Sequence, residues 1–177
     1  MTTFADGEKS LVGYVRQLTS ADLGPLESLL RSDPVSNCFL DARVRGAGLD
    51  PWRLGGDIWG YLDDDALHSV VYVGANLVPV GTTPASRAAL ADRLRMSPRR
   101  CSSFVGDREE VLDLWRLLEP AWGPAREVRD DQRLLVMDTD ANIPHDPQVR
   151  MATLADMDVL LPACVDMFTE EVGISPV

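Results

Sequence analysis

The sequence predicts an α/β (α+β) domain: a mixed, mostly antiparallel sheet flanked by helices, then a linker and the opening of a second unit. Three observations carry this. Short apolar strands alternate with helical patterns along most of the chain. Two strands flank the triplet Asp63-Asp64-Asp65, as in an antiparallel hairpin with an acidic turn. A polar, proline-bearing stretch over 138–148 is followed by a segment that restarts the first one.

The elements follow in order. Val12 to Leu18 reads as a short strand. Thr19 or Ser20 then caps a helix through Leu30, with Leu23, Leu26, Leu29 and Leu30 on one face. Asp33-Pro34 is a cap followed by a first-turn proline, which predicts a second helix start. Phe39, Leu40 and Val44 give that helix an apolar face, and Gly46 and Gly48 end it. Asp50 to Gly56 is rich in turn residues. The hairpin strands are Asp57 to Leu62 and Ala66 to Gly74, and Leu77 to Val80 is the next strand. Gly81-Thr82-Thr83-Pro84 leads into a helix that ends near Arg95. Cys101 to Val105 is a further strand, and Asp107 caps a helix to Leu118, with Glu110 placed to complete a capping box. Glu127 to Met137 reads as a last long strand. The predicted division is a domain over 1–137, a linker over 138–148, and a strand (Val149 to Ala152) with a helix (Leu154 to Thr169) in 149–177.

Composition limits the function. At 177 residues, with 45% apolar and 25% charged, the chain buries a core without metals or disulfides. Its net charge of −11 repels phosphate backbones, which argues against nucleic acid as a partner. No apolar run is long enough to cross a bilayer, so no membrane partner is expected. Met1 to Ser10 lacks a basic region leading into an apolar stretch, which predicts a cytoplasmic protein. Cys38, Cys101 and Cys164 are too far apart for a disulfide framework or a zinc site, and read as reduced, buried small hydrophobes.

The repeat lays Val15-Arg16-Gln17-Leu18-Thr19-Ser20-Ala21-Asp22 on Val149-Arg150-Met151-Ala152-Thr153-Leu154-Ala155-Asp156. Both copies place a threonine cap and an acid in the first helical turn, where a carboxylate meets the positive helix end. A strand opening V-R-x-x-x-x-x-D, two helices, a three-strand meander, a helix, a strand and a helix is an order that resembles the GNAT superfamily of acyl-CoA-dependent N-acetyltransferases. The blocks Leu49-Asp50-Pro51-Trp52-Arg53-Leu54-Gly55-Gly56, Gly74-Ala75-Asn76-Leu77-Val78-Pro79-Val80, Arg100-Cys101-Ser102-Ser103 and Leu118-Glu119-Pro120-Ala121-Trp122-Gly123-Pro124-Ala125-Arg126 narrow the resemblance. They look like an N-terminal domain of unknown function that precedes the GNAT domain in two-domain acetyltransferases of actinobacteria. Met167-Phe168-Thr169-Glu170-Glu171-Val172-Gly173 fits the same picture.

The resemblance implies acetyl transfer from acetyl-CoA to a small-molecule or protein amine, with acetyl-CoA as co-substrate and no metal. It also implies that the second domain carries the chemistry, so that this chain, with only that domain's first strand and helix, is inactive alone, either as a truncated product or with the missing half encoded elsewhere. No catalytic residue is identified. Such enzymes hold the coenzyme pyrophosphate on a glycine-rich turn, R/Q-x-x-G-x-G/A, before a helix. The equivalent turn has one glycine, Gly81, and Pro84 removes an amide, so the motif is absent. Gly81, Thr82, Thr83 and Arg87 are the residues placed to hold an anion there, with a plain helix cap as the simpler alternative. The second helix without its sheet exposes Leu160, Leu161 and Phe168, which invites a homodimer or docking back on the first domain. The alternative function is a non-catalytic small-molecule-binding or dimerisation module attached to an acetyltransferase.

Other residues have plainer explanations. Asp63, Asp64 and Asp65 read as a solvated turn, because a calcium loop spreads its ligands over about a dozen residues. His68 alternates with Val70 and Tyr72 and shares their face, and His145 is an exposed linker residue. Trp52, Trp59, Trp115 and Trp122 read as core and helix-end packing, or as walls of an apolar pocket. Asn76 is a turn residue near the expected cleft, and Glu170 and Glu171 form an acidic helix end.

Overall fold

The computed structural model describes residues 13–173 and 175–176. Val12, Met1 to Ser10 and Val177, which enter the expectations above, lie outside the described residues. The chain divides into two compact units, Met1–Val136 and Met137–Val177.

The first unit is a mixed α+β fold on a five-stranded sheet in the order β1-β2-β3-β4-β5. Its strands are β1 (Tyr14–Gln17), β2 (Asp57–Asp63), β3 (Ala66–Val73), β4 (Asn76–Val80) and β5 (Ser103–Phe104). The first four pair antiparallel, and β4 pairs with β5 in parallel. Between β1 and β2 lie a 3₁₀ turn (Ser20–Asp22) and helices α1 (Leu23–Leu30), α2 (Cys38–Ala47) and the single turn α3 (Pro51–Leu54). Helix α4 (Pro84–Arg95) follows β4, and α5 (Arg108–Trp122) follows β5.

Both sheet faces are covered, which is why β3 is buried continuously from Ser69 to Val73 instead of alternating with solvent. On one face Leu26 and Leu30 of α1, Leu40 and Val44 of α2 and Leu54 of α3 pack on Ile58, Val70, Tyr72, Val78 and Val80. On the other, Leu90, Ala91 and Leu94 of α4 and Leu114 and Leu118 of α5 pack on Val71, Val73 and Leu77. Pairing α4 with α5 on one face is what sets the candidate site.

Several expectations are corrected. Asp33 does cap, but it caps a turn: its Oδ1 accepts from Ser36 N, and α2 begins only at Cys38 after Asn37, whose amide reaches back to Leu30 O. The turn-rich 50–56 stretch holds a helical turn, because Asp50 accepts from the amides of both Trp52 and Arg53. His68 does not share the face of Val70 and Tyr72. Tyr61 pairs with Ser69 and Leu62 with Leu67, so His68 is the extra residue of a β-bulge. The bulge gives Leu67 the core-facing place beside Val70 and leaves His68 exposed. Helix α5 continues through Pro120 to Trp122 instead of ending at Leu118.

Residues 127–137 form no strand; they are irregular and exposed throughout, with Leu135 at 86%. A β-forming composition needs a neighbour's backbone groups to become a ladder, and no described strand pairs with this stretch. Cys38 and Cys164 are exposed and only Cys101 is buried. Trp52 is not a core residue: it stands 92% exposed, while Trp59, Trp115 and Trp122 are half-buried.

In the second unit residues 149–152 form no strand, for the same reason. They lead through a 3₁₀ turn (Leu154–Asp156) into α6 (Met157–Val172), which Gly173 closes in the left-handed conformation at φ +74°. The local geometry repeats that of the first unit closely. Asp22 takes a bidentate contact from Arg16 at 2.8 and 2.7 Å, and Asp156 takes the same from Arg150 at the same distances. Thr19 N and Thr153 N donate to those carboxylates at 2.7 and 2.8 Å. The cap torsions are −124°, 174° at Thr19 and −122°, 172° at Thr153.

Candidate functional site

The candidate site lies where β4 turns into α4. Gly81 makes the turn at φ +66°, and a Cβ there would sit 3.2 Å from Leu29 Cδ1. Its carbonyl accepts from Ser69 Oγ at 2.8 Å, which ties the turn to β3. Thr83 caps α4, its Oγ1 accepting from Ser86 N at 3.2 Å, and Thr83 N donates to Ser86 Oγ at 2.8 Å. Pro84 occupies the first helical position and has no N–H to offer.

The next donor upstream, Thr82 N, is 3.0 Å from Glu110 Oε1 on the first turn of α5. Glu110 therefore does not complete a capping box within its own helix. The cap is made by Asp107, whose Oδ1 accepts from the amides of Glu109 and Glu110, and the Glu110 side chain crosses to the other helix. Its second oxygen, Oε2, is buried without a hydrogen-bond partner. Burial pushes the Glu110 carboxyl above the usual glutamate range, against the bond from Thr82, which favours the charged form.

Arg87 is 2% exposed and sits on the core side of α4, one turn before Leu90 and Ala91. Its guanidinium is fully engaged across the interhelical seam. Nε donates to Asp113 Oδ2 at 2.6 Å, Nη2 to Glu109 Oε1 at 3.1 Å, and Nη1 to Thr82 O at 2.9 Å. The four residues expected to hold an anion are thus brought together. Around them stand three α5 carboxylates, Glu109, Glu110 and Asp113, that sequence reading did not assign to the site. The signals were present: Glu109 and Asp113 are four apart and share a helix face. Arg87 lies at helical spacing from Leu90, Ala91 and Leu94, and a guanidinium on a core face requires acidic partners.

The edge of β4 facing β5 is also short of donors. Leu77 O accepts from Val105 N at 3.0 Å, and the next residue on the same edge, Pro79, has no N–H. Gly106 approaches it, with a Cβ position 3.5 Å from Pro79 O. Asn76, at the start of β4, accepts from Ser103 Oγ at 2.7 Å and so links the two parallel strands. Elsewhere in the unit an open groove of about 620 Å³ is lined by Gln17 to Ser20 and Leu49 to Pro51. Asp64 and Asp65 adopt positive φ in the hairpin turn, and Asp65 accepts from Tyr14 OH at 2.7 Å. Among the described residues no group of three or more His, Cys, Asp or Glu side chains is placed to hold a metal. No described helix is long and apolar enough to cross a membrane. His145, Glu170 and Glu171 are exposed residues of the second unit.

Comparison with curated proteins and with solved structures finds no match. A family model does match, over residues 56–160, from the start of β2 into the first turn of α6 and more than half of the chain. The chain belongs to that family, described as a domain of unknown function, DUF4081.

Proposed function

We propose that this chain is the amino-terminal part of a GNAT-family N-acetyltransferase, whose first unit has given up the coenzyme site. The parent reaction is acetyl transfer from acetyl-CoA to a small-molecule or protein amine. The strand and helix order of the first unit supports the reading, as does the matched geometry of the two openings at Arg16–Asp22 and Arg150–Asp156.

The observation that carries the loss of the coenzyme site is the Thr82–Glu110 contact. A pyrophosphate at this turn needs free amides and an unopposed helix end. Instead the Thr82 amide serves the chain's own carboxylate, the Thr83 and Ser86 amides serve each other's hydroxyls, and Arg87 is spent on Glu109 and Asp113. A second anion there would meet like charge in a poorly hydrated place. These residues do not fit a coenzyme pyrophosphate, and Pro79 withholds the next strand amide as well.

Isothermal titration of acetyl-CoA into the chain tests this: no saturable heat is expected up to about millimolar ligand. Saturable binding at about micromolar affinity would overturn the loss of the site. Glu110→Ala frees the Thr82 amide and the α4 dipole, and is expected to bring weak coenzyme A binding that the parent chain lacks. If no variant of this turn gains any affinity, the link to an ancestral coenzyme site fails.

A second reading, a small-molecule-binding or dimerisation module attached to an acetyltransferase, rests on the open groove beside α3 and on Trp52. Trp52 is 92% exposed and follows the groove residue Pro51, and indoles are enriched at interfaces. Sedimentation of the chain and of Trp52→Ala decides it: a dimer lost in the variant supports an interaction surface, and a monomer in both removes that role.

A further inference from the structure

The C-terminal end of α4 carries a feature that the proposed function does not use. Arg93 places its guanidinium carbon over the Trp59 ring, 3.8 Å from the centroid, and its Nη1 donates to Ser97 Oγ at 3.3 Å. Among the described residues Arg93 takes part in no ion pair, whereas nearby Arg100 is paired to Asp57 at 2.9 Å. Asp57 is satisfied at its other oxygen by Gln17 at 2.9 Å. The half-buried Arg93 guanidinium, held by a ring face and a hydroxyl and by no acid, keeps its charge available to an anion.

Beside it is a cavity of about 60 Å³, lined by Trp59, Trp122, Val73 and Leu94 and by the polar side chains of Arg93, Ser97, Arg100 and Asp57. At about 10–15 Å³ for each water-sized group, that is room for about four to six such groups. Its wall combines the two guanidinium groups and the Ser97 hydroxyl with one carboxylate, Asp57, and is otherwise indole and aliphatic carbon. The local charge from Arg93, Arg100 and Asp57 is net positive. An anion is therefore favoured, and Asp57, held by Gln17 and Arg100, is not free to supply it.

We propose that this cavity binds a small monocarboxylate of about acetate size. The planar guanidinium edge takes the two carboxylate oxygens, Ser97 adds a hydroxyl donor, and the alkyl group rests on Val73, Leu94 and the Trp122 ring. The Trp59 face holds the guanidinium in place, so little rotamer freedom is lost on binding. The site is at the opposite end of α4 from Thr82, and the proposal stands or falls independently of the coenzyme reading.

The test is a fluorescence titration of the full chain, since Trp59 and Trp122 both border the cavity. The probe is sodium acetate at constant ionic strength, with acetamide as the neutral isostere and sodium chloride as the salt control. A saturable change with acetate, absent with the other two, is expected. Arg93→Gln should weaken it by at least about tenfold, the effect of losing a charged hydrogen-bond partner. If Arg93→Gln does not fold, Ser97→Ala asks the same question and should bind several-fold more weakly. An equal response to acetamide or chloride, no response to acetate, or unchanged affinity in the variant that folds would overturn the proposal.

Discussion

Thr82 donates its backbone N–H to the carboxylate of Glu110, 28 residues further along, at 3.0 Å, so the turn leading into α4 is held by a carboxylate carried on α5. The arrangement has a pH signature. Burial raises the Glu110 carboxyl above the usual glutamate range, so the folded chain holds that proton more tightly than the unfolded one. The resulting stabilisation is fully present below the ordinary glutamate range and is lost as pH rises through the raised folded value. Glu110→Gln removes the titration while keeping an oxygen for Thr82. The melting temperature of the variant relative to the parent is therefore expected to rise between about pH 4 and about pH 7. A difference that stays flat across that range would show that Glu110 does not titrate in this way.

Arg87 is the second member of the seam, and its burial is asymmetric. Its own side chain is 3% exposed, while those of Glu109 and Asp113 are 80% and 34% exposed. Removing the cation lets both acids return to water, which limits the loss. Arg87→Met keeps the aliphatic stem and is expected to cost about 1–3 kcal/mol in urea unfolding, from the bonds to Asp113 and Thr82 O. A loss of about 3–5 kcal/mol, as for a fully buried pair, would mean that the acids stay trapped without their partner.

Gly81 tests the turn itself. Its φ of +66° and the 3.2 Å approach of Leu29 Cδ1 to a Cβ both oppose a side chain. Gly81→Ala should cost about 1–2 kcal/mol from the left-handed backbone alone. An unchanged urea midpoint would mean that the turn relaxes to another conformation.

The layers and the hairpin were legible in the sequence because local rules decide them. The spacing of Leu26 and Leu30, the run Val70 to Val73, and the paired aspartates at the turn each state their own structure. Where the sequence misled, the deciding term was non-local. His68 alternates correctly with Val70, and only the pairing with β2 inserts the bulge that turns it out. Glu110 has the spacing of a capping box, but the Thr82 amide, 28 residues earlier in the chain, competes for its carboxylate. Residues 127–137 have strand composition without a partner strand. Three of the site's acids were missed for the same reason: a carboxylate on a helix surface looks solvated until another element covers it.

The twin openings yield the last prediction. Asp22 and Asp156 are both held well below the usual carboxylate range, each first by its arginine and also by a threonine amide. A depressed carboxyl stabilises the fold above its unfolded value, and that stability is lost as pH falls through the folded value. In the first unit the turn leads into α1, whose Leu26 and Leu30 are fully buried, so the local cap is coupled to the core. Asp22→Asn should cost about 1–2 kcal/mol in global unfolding, as the loss of an N-cap does. In the second unit the same clamp leads into a helix whose Leu160, Leu161 and Phe168 are 41%, 50% and 40% exposed. Asp156→Asn should therefore leave the main unfolding transition in place. Its effect should appear as faster amide exchange at residues 154–157. A drop in the main transition from Asp156→Asn, equal to that from Asp22→Asn, would mean that both clamps serve a single cooperative core.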